Sequence, residues 1–234
     1  MSTKGYIITI VRTANTTRGP ARERSAGSLF RAARGMHREQ FQAFERICAE
    51  RRAGGSVLEI GAVPSDDTLL CLSSLGAASR KVGINLDGPS TFRDFGILKA
   101  DANDLGCFWD GEFDTVLCNA VLEHDPCFWK SIEEMRRVTR AGGLIVIGVP
   151  GFVETPPARW LAWMDRTPFV RLLFRRRRES RLASTPVLGI HNFPSDHYRF
   201  SARAVAEVLM GGLKDVRVFS HMRPPRIIGS GIKP

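Results

Sequence analysis

The sequence predicts an α/β protein built on a doubly wound, mostly parallel seven-stranded sheet with flanking helices, and three observations carry that expectation. Strand-like and helix-like patterns alternate through the middle of the 234-residue chain. The strand-like runs are near-continuous Val, Ile and Leu, as in strands covered on both faces. Their carboxyl ends carry Gly, Asn and Asp, at the place where open parallel sheets bind ligands. With 43% apolar residues the chain can bury one sizeable core. The simplest organisation is a flexible basic N-terminal arm over 1–37 and one domain over 38–234 that carries an Arg/Trp-rich insertion at 154–190.

The elements follow in order. Residues 1–35 mix Arg, Ser, Thr and Gly with the single acid Glu23, a composition that does not bury a core. The stretch REQFQAFERICAERR, Arg38 to Arg52, predicts a helix leading into the first strand. That strand is Val57-Leu58-Glu59-Ile60, ended by Gly61 where the chain must bend. In SVLEIGAVPSDDTLL a second helix is then expected. Ser65 would be its N-cap, Asp66 and Asp67 would sit in the first turn, and Leu69, Leu70 and Leu72 would form its apolar face. KVGINLDG (81–88), FGILKADA (95–102), FDTVLCNAV (113–121) and GGLIVIGVP (142–150) predict strands two to five. Between the last two, Trp129, Ile132, Met135 and Val138 recur every three residues and predict an amphipathic helix. After SARAVAEVLMGGL come a sixth strand, KDVRVFSHM, and a short seventh, RIIGSGIKP.

Charge is distributed unevenly. Residues 1–60 hold 11 Lys/Arg and 5 Asp/Glu, residues 61–135 hold 5 and 13, and residues 136–234 hold 18 and 6. A nucleic-acid binder is expected to make its functional surface basic. Here the strand-end region is acidic, so no specific nucleic-acid partner is predicted. No run approaches the roughly 18 apolar residues of a membrane span, and no apolar secretory core opens the sequence, so a cytoplasmic protein is expected. The five cysteines are odd in number and form no CxxC pair. They read as buried thiols, with neither a disulfide framework nor a zinc knuckle.

The expected strand ends bring together Gly61, Asn85 to Asp87, Asp101 to Asn103, and Asn119-Ala120, without a lysine or arginine. Asp and Asn also end strands and cap turns in many folds, and Asp66-Asp67 could be ordinary acidic capping. Against a dinucleotide these acids are informative. A pyrophosphate needs bare N–H groups and positive potential at a helix N-terminus, and two carboxylates there repel it. A ligand with hydroxyls, an adenine-like ring and positive charge suits the set.

From about Gln40 to Val218 the chain resembles the class I S-adenosylmethionine-dependent methyltransferases of the type 11 subgroup, a Rossmann-like methyltransferase fold. The resemblance lies in VLEIGAVP, VGINLD, ADANDL, FDTVLCNAVLEHD and MRRVTRAGGLIVIGVP, with HNFPSDHYRFS (191–201) similar to a segment before the last helix. It implies S-adenosyl-L-methionine as cofactor. It also implies that Glu59, Gly61 and Ala62 lie at the methionine end and that Asn85 or Asp87 meets the ribose. Asp101 and Ala102 would border the adenine, with Asn119 and Ala120 beneath the sulfonium. Val63 and Ser65 stand where the family usually has glycines, and Asn85 where it has an acid. These departures leave a degenerate, non-catalytic binding or scaffold module as the alternative to an enzyme. Some relatives bind a divalent ion through ExxEH; Ala120 replaces the first acid here, and no metal is predicted.

The implied reaction is methyl transfer to a small-molecule or lipid- or glycan-linked acceptor, with oxygen as the nucleophile. A base would assist it; the candidates are His124, His191 and His197, of which His124 and His191 are assigned the catalytic role. The insertion holds a further feature: Ala158 to Arg181 contains eight arginines against Asp165 and Glu179, beside Trp160, Trp163 and Phe169. Aromatics beside a cationic run suggest an amphipathic acceptor and peripheral contact with an anionic inner membrane surface. Packing of the apolar residues with the arginines solvated accounts for the same pattern.

Overall fold

The computed structural model describes residues 36–152, 196–222 and 225–234. Residues 1–35 of the arm, the insertion at 154–190 and His191 therefore lie outside the described residues. Eight strands form one sheet: β1 (Ser56–Ile60), β2 (Arg80–Asn85), β3 (Ser90–Phe92), β4 (Phe95–Lys99), β5 (Phe113–Asn119), β6 (Thr139–Pro150), β7 (Lys214–His221) and β8 (Arg226–Ile232). Their order across the sheet is β3-β4-β2-β1-β5-β6-β8-β7. The five strands from β4 to β6 pair in parallel, and β3, β8 and β7 pair antiparallel at the two margins. All seven expected strands form. The eighth, β3, is a three-residue edge strand in GPSTF that turns back through Arg93, at φ +50°, onto β4. Its length and turn-like composition hid it.

Side-chain alternation along the strands divides the core between the two faces. Val57 of β1 and Leu117 of β5 face the layer that holds Phe44, Ile47 and Cys48, which belong to helix α1 (Arg38–Glu50). Leu58, Ile60, Val116 and Cys118 face the other layer. There Ile132, Met135 and Val138 descend from helix α2 (Phe128–Val138), joined by Phe200, Val205, Leu209 and Met210 from around the short helix α3 (Ala202–Ala204) and the π turn Val205–Leu209. Trp129 does not join them and is half exposed. A strict spacing of three drifts about 60° around a helix of 3.6 residues per turn at each step, so the first of the four expected residues has left the buried face.

The helix expected after β1 is absent. Two 3-10 turns stand in its place, Leu69–Cys71 and Ser73–Leu75, with the extended Leu72 between them. Glu59 explains the substitution. Its carboxylate reaches out of β1, accepts from the backbone N–H of Leu69 and of Leu70 at 3.1 Å each, and takes the Thr68 hydroxyl as well. The turn is thus capped at Thr68, and Ser65 makes only a local bond, accepting from Asp67 N at 3.4 Å. Downstream, Glu45 of α1 accepts from Ser73 Oγ at 2.7 Å and Ser74 N at 2.9 Å. Leu69, Leu70, Leu72 and Leu75 are all essentially fully buried, so the segment inserts leucines into the core and presents no helical face.

Candidate functional site

Along the chain, strands are added from β1 outward through β2 to β4, and then the path returns to place β5 on the other side of β1. The crevice at the carboxyl ends of β1 and β5 is the position at which doubly wound sheets take ligands. A cleft of about 630 Å³ opens there, walled by the ends of β1, β2, β4 and β5 and by the loop into α2.

Two residues with left-handed backbone shape its floor. Gly61 has φ +82° and Ala120 φ +55°. A Cβ on Gly61 would stand 2.3 Å from Val121 Cγ2, so glycine is needed both for its conformation and for the close approach. Val63 is 42% exposed and forms part of the wall. The cleft stays open beside it.

Gly61, Asn85, Asp101, Ala102, Ala120 and His124 line the cleft. The Asn85 side chain is already engaged: Nδ2 donates to Ala62 O at 2.9 Å, and Oδ1 accepts from Asp87 N at 3.2 Å. It ties the turn after β1 to the turn after β2. Asp101 Oδ1 accepts from Asn103 N at 2.9 Å and from Asn103 Nδ2 at 3.2 Å, which fixes the carboxylate at the end of β4.

Glu59, Ala62, Asp87 and Asn119 are not on the wall. Glu59 is buried behind the floor, where burial pushes its carboxyl up to about 7 against the opposing hydrogen bonds from Thr68, Leu69 and Leu70. Ala62 is fully buried and contributes its carbonyl to Asn85. Asp87 is exposed beyond β2. Asn119 Oδ1 accepts from Gln40 Nε2 of α1 at 2.8 Å. Asp66 is 76% exposed and pairs with Arg93 at 2.5 Å, so it leaves the floor to the neutral backbone.

The loop after β5 holds more than the sequence reading assigned to it. Asp125 is buried; Oδ1 accepts from Cys127 N at 2.8 Å and Asn103 Nδ2 at 3.0 Å, and Oδ2 from Ser131 Oγ at 2.6 Å. It fastens the loop to the first turns of α2 through Cys127 and Ser131 and ties the cleft wall at β4 to the wall at β5. An acid three residues before a helical run is the signal that could have revealed it. Lys130 adds one cation to the rim, where the strand ends alone carried none. Segment Asp196–Phe200 lies across this loop: Glu123 O accepts from His197 N at 2.7 Å and Tyr198 N at 3.2 Å, and Tyr198 Oη donates to Pro126 O at 3.0 Å. Arg199 forms a two-bond ion pair with Asp196. His197 itself is exposed.

Among the described residues no group of His, Cys, Asp and Glu has a metal-binding arrangement, and no helix is long and apolar enough to cross a membrane. The cysteines are free thiols. Cys48 and Cys118 are buried as expected, Cys71 and Cys127 are half-buried, and Cys107 is exposed. Cys107 departs from the expectation because it lies in the turn-rich connection between β4 and β5, which has no face to bury.

Residues 71–147 match the family model described as a methyltransferase domain. Solved structures with the same fold include the N-methyltransferase NodS from Bradyrhizobium japonicum in complex with S-adenosyl-L-homocysteine (TM-score 0.53, 15% identity, covering 84% of this chain and 87% of that one). A second is the 1,6-didemethyltoxoflavin-N1-methyltransferase from Burkholderia thailandensis with 1,6-didemethyltoxoflavin and S-adenosylhomocysteine bound (0.54, 13%, 82% and 77%). A third is a SAM-dependent methyltransferase from Archaeoglobus fulgidus (0.53, 14%, 82% and 92%). At these identities the likeness is one of fold. No curated protein matches the sequence. The match to a methyltransferase domain thus spans β2 to β6 and the helix between β5 and β6, and the doubly wound sheet is the Rossmann-like fold of these methyltransferase structures.

Proposed function

We propose that the protein transfers a methyl group from S-adenosylmethionine to an oxygen of a small-molecule or lipid- or glycan-linked acceptor. The observation that carries this reading is the cleft at the switch between β1 and β5, floored by Gly61 and Ala120 and bordered by carboxylates. When bound, the cofactor supplies an electrophilic methyl group on a sulfonium. A sulfonium and an ammonium against one carboxylate suit the acids near this cleft, where a pyrophosphate would be repelled.

Gly61 leaves the backbone bare along the methionine portion, beside Val121. Asp101 and Ala102 border the adenine, Asn85 or Asp87 the ribose, and Ala120, backed by Asn119, the sulfonium. Glu59 and Ala62 act from behind the wall, Glu59 by holding the Leu69–Leu70 turn and Ala62 by fixing Asn85. The rest of the protein's contribution is alignment of the acceptor and removal of its proton. His124, on the cleft wall, is the base; His191 is the second candidate. Oxygen is favoured because a hydroxyl needs such a base more than an amine does. The non-catalytic alternative has no support, since the cleft remains open beside Val63.

The composition of Ala158 to Arg181 supports an amphipathic acceptor and peripheral contact with an anionic membrane. Calorimetric titration with S-adenosylmethionine and with S-adenosylhomocysteine tests the reading. Heat of binding and a raised melting temperature are expected, because a ligand that binds only the native state stabilises it. No heat and no stabilisation at millimolar ligand would overturn it.

A further inference from the structure

We propose that Glu123 is a positioning residue for His124, with the buried carboxyl and the imidazole coupled through their charges so that the protonation of each is set by the other. The inference rests on the methyl-transfer reading, in which His124 takes the proton of the acceptor. Glu123 lies in the loop after β5. Its side chain is 0% exposed, and neither carboxyl oxygen has a hydrogen-bond partner among the described residues. Oε1 is 4.0 Å from His124 Nε2 and 3.6 Å from Arg226 Nη1 at the start of β8. His124 is on the cleft wall and Glu123 is behind it, so the carboxyl reaches a ligand only through the ring.

The surroundings hold it there. The Glu123 carbonyl accepts from His197 N and Tyr198 N, and two residues on Asp125 fastens the loop to α2. Among the described residues, the charged and titratable groups around the carboxyl are Arg226 from β8, Asp196 and Arg199 from the segment before α3, Cys118 from β5, and His124 and Asp125 from its own loop. Burial disfavours the carboxylate, while the residue's own backbone N–H, Arg226 and Arg199 favour it against Asp196. The balance brings Glu123 to about 7, the range in which an imidazole exchanges its proton.

Two titratable groups that interact strongly release their protons in steps that belong to the pair. As the acceptor oxygen bonds to the methyl carbon, the electron pair of the C–S bond stays on sulfur and the hydroxyl proton passes to the His124 ring. The resulting imidazolium is balanced by ionised Glu123, and the proton then leaves to water. In this arrangement Glu123 makes His124 a stronger base when ionised, without touching the acceptor.

The test is nuclear magnetic resonance titration of the full chain, with glutamate carboxyl and histidine ring carbons labelled with carbon-13. The Glu123 carboxyl, identified by its loss in Glu123→Gln, and the His124 ring, identified by its loss in His124→Gln, should each change in two steps that share the same two midpoints. In Glu123→Gln the His124 midpoint should fall by roughly one pH unit as the facing charge is lost, and Glu123→Asp should restore the two-step curve. Independent single-step curves in the unaltered protein, which need no variant to fold, would overturn the coupling. So would an unmoved His124 midpoint in folded Glu123→Gln. S-adenosylhomocysteine titrated into the same samples separates the two readings. Binding with independent curves overturns the coupling and leaves methyl transfer standing. Coupled curves without binding remove methyl transfer, and with it the role given to the pair.

Discussion

Replacing Glu59 by glutamine tests the account of the turn beneath the cleft, through the pH dependence of stability. Burial raises the Glu59 carboxyl from the ordinary 4.5 to about 7, while bonds from Thr68, Leu69 and Leu70 pull the other way. The sign follows from which state holds its proton longer. Between pH 4.5 and 7 the unfolded chain has released this proton and the folded protein still binds it, so stability falls as pH rises through that window. The contribution is complete below pH 4.5 and gone above 7. The shift of about 2.5 units corresponds to about 3 kcal/mol at about 1.4 kcal/mol per unit. Glutamine does not ionise, keeps one acceptor oxygen for the turn and lacks this pH term. Urea denaturation of wild type and Glu59→Gln at pH 5 and pH 8 isolates it, because every other titrating group is common to both. The difference in stability should move by about 2.5 kcal/mol in favour of the variant between the two pH values, or about 1 M in urea midpoint for a typical slope. An equal difference at both pH values, with both proteins folded, would show that Glu59 is not the buried proton-holding group described here.

Gly61→Ala should destabilise the protein by about 2 to 5 kcal/mol, from about 1 to 2 for a side chain in left-handed backbone and about 1 to 3 for the overlap with Val121. Adding Val121→Ala should recover only the second part, which thermal unfolding of the two variants would read; recovery of nothing would mean the overlap is absent. Asp101→Ala should leave folding intact, since the residue is exposed, and weaken S-adenosylmethionine binding by about 1 to 3 kcal/mol; unchanged affinity by calorimetry would refute its place at the adenine. Sedimentation with liposomes should require anionic lipid, decline as salt rises, and be lost when Arg175→Gln, Arg176→Gln, Arg177→Gln and Arg178→Gln are combined. Equal sedimentation with and without these changes, or none at all, would remove the membrane contact.

The strands were legible because runs such as Val57 to Ile60 and Leu144 to Val149 are buried on both faces, and burial of that kind leaves a continuous apolar signature. Helix α1 was legible to within two residues for the complementary reason: Phe44 and Ile47 recur on one face of an otherwise charged segment. What escaped depended on contacts between distant residues. Nothing in PSDDTLL announces that Glu59, already past in the chain, will claim the N–H groups of Leu69 and Leu70 and convert an expected helix into two tighter turns. Of the residues named from sequence, Gly61, Asn85, Asp101, Ala102, Ala120 and His124 converge on one cleft, whose wall also carries the apolar Ile60, Val63, Ile84, Leu86 and Val121. Which of the neighbouring polar residues face it and which stand behind it was not readable. Asn119 turns to Gln40 of α1, eighty positions earlier, and that choice is made by packing alone.

The placement of β8 bears on how the protein is made. This strand follows β7 in the chain yet lies between β6 and β7 in the sheet, pairing with β6 from Leu144↔Ile232 to Pro150↔Arg226. On a ribosome, β6 therefore emerges long before its outer neighbour: more than seventy residues are added before the strand that pairs with its edge. β7 has no strand to pair with during that interval. The nascent chain carries an uncapped apolar edge, the template that stray strands add to. Slow translation or stalling after β6 should thus favour aggregation, and a chaperone that shields this edge should raise the yield of soluble protein more than one acting on the completed chain.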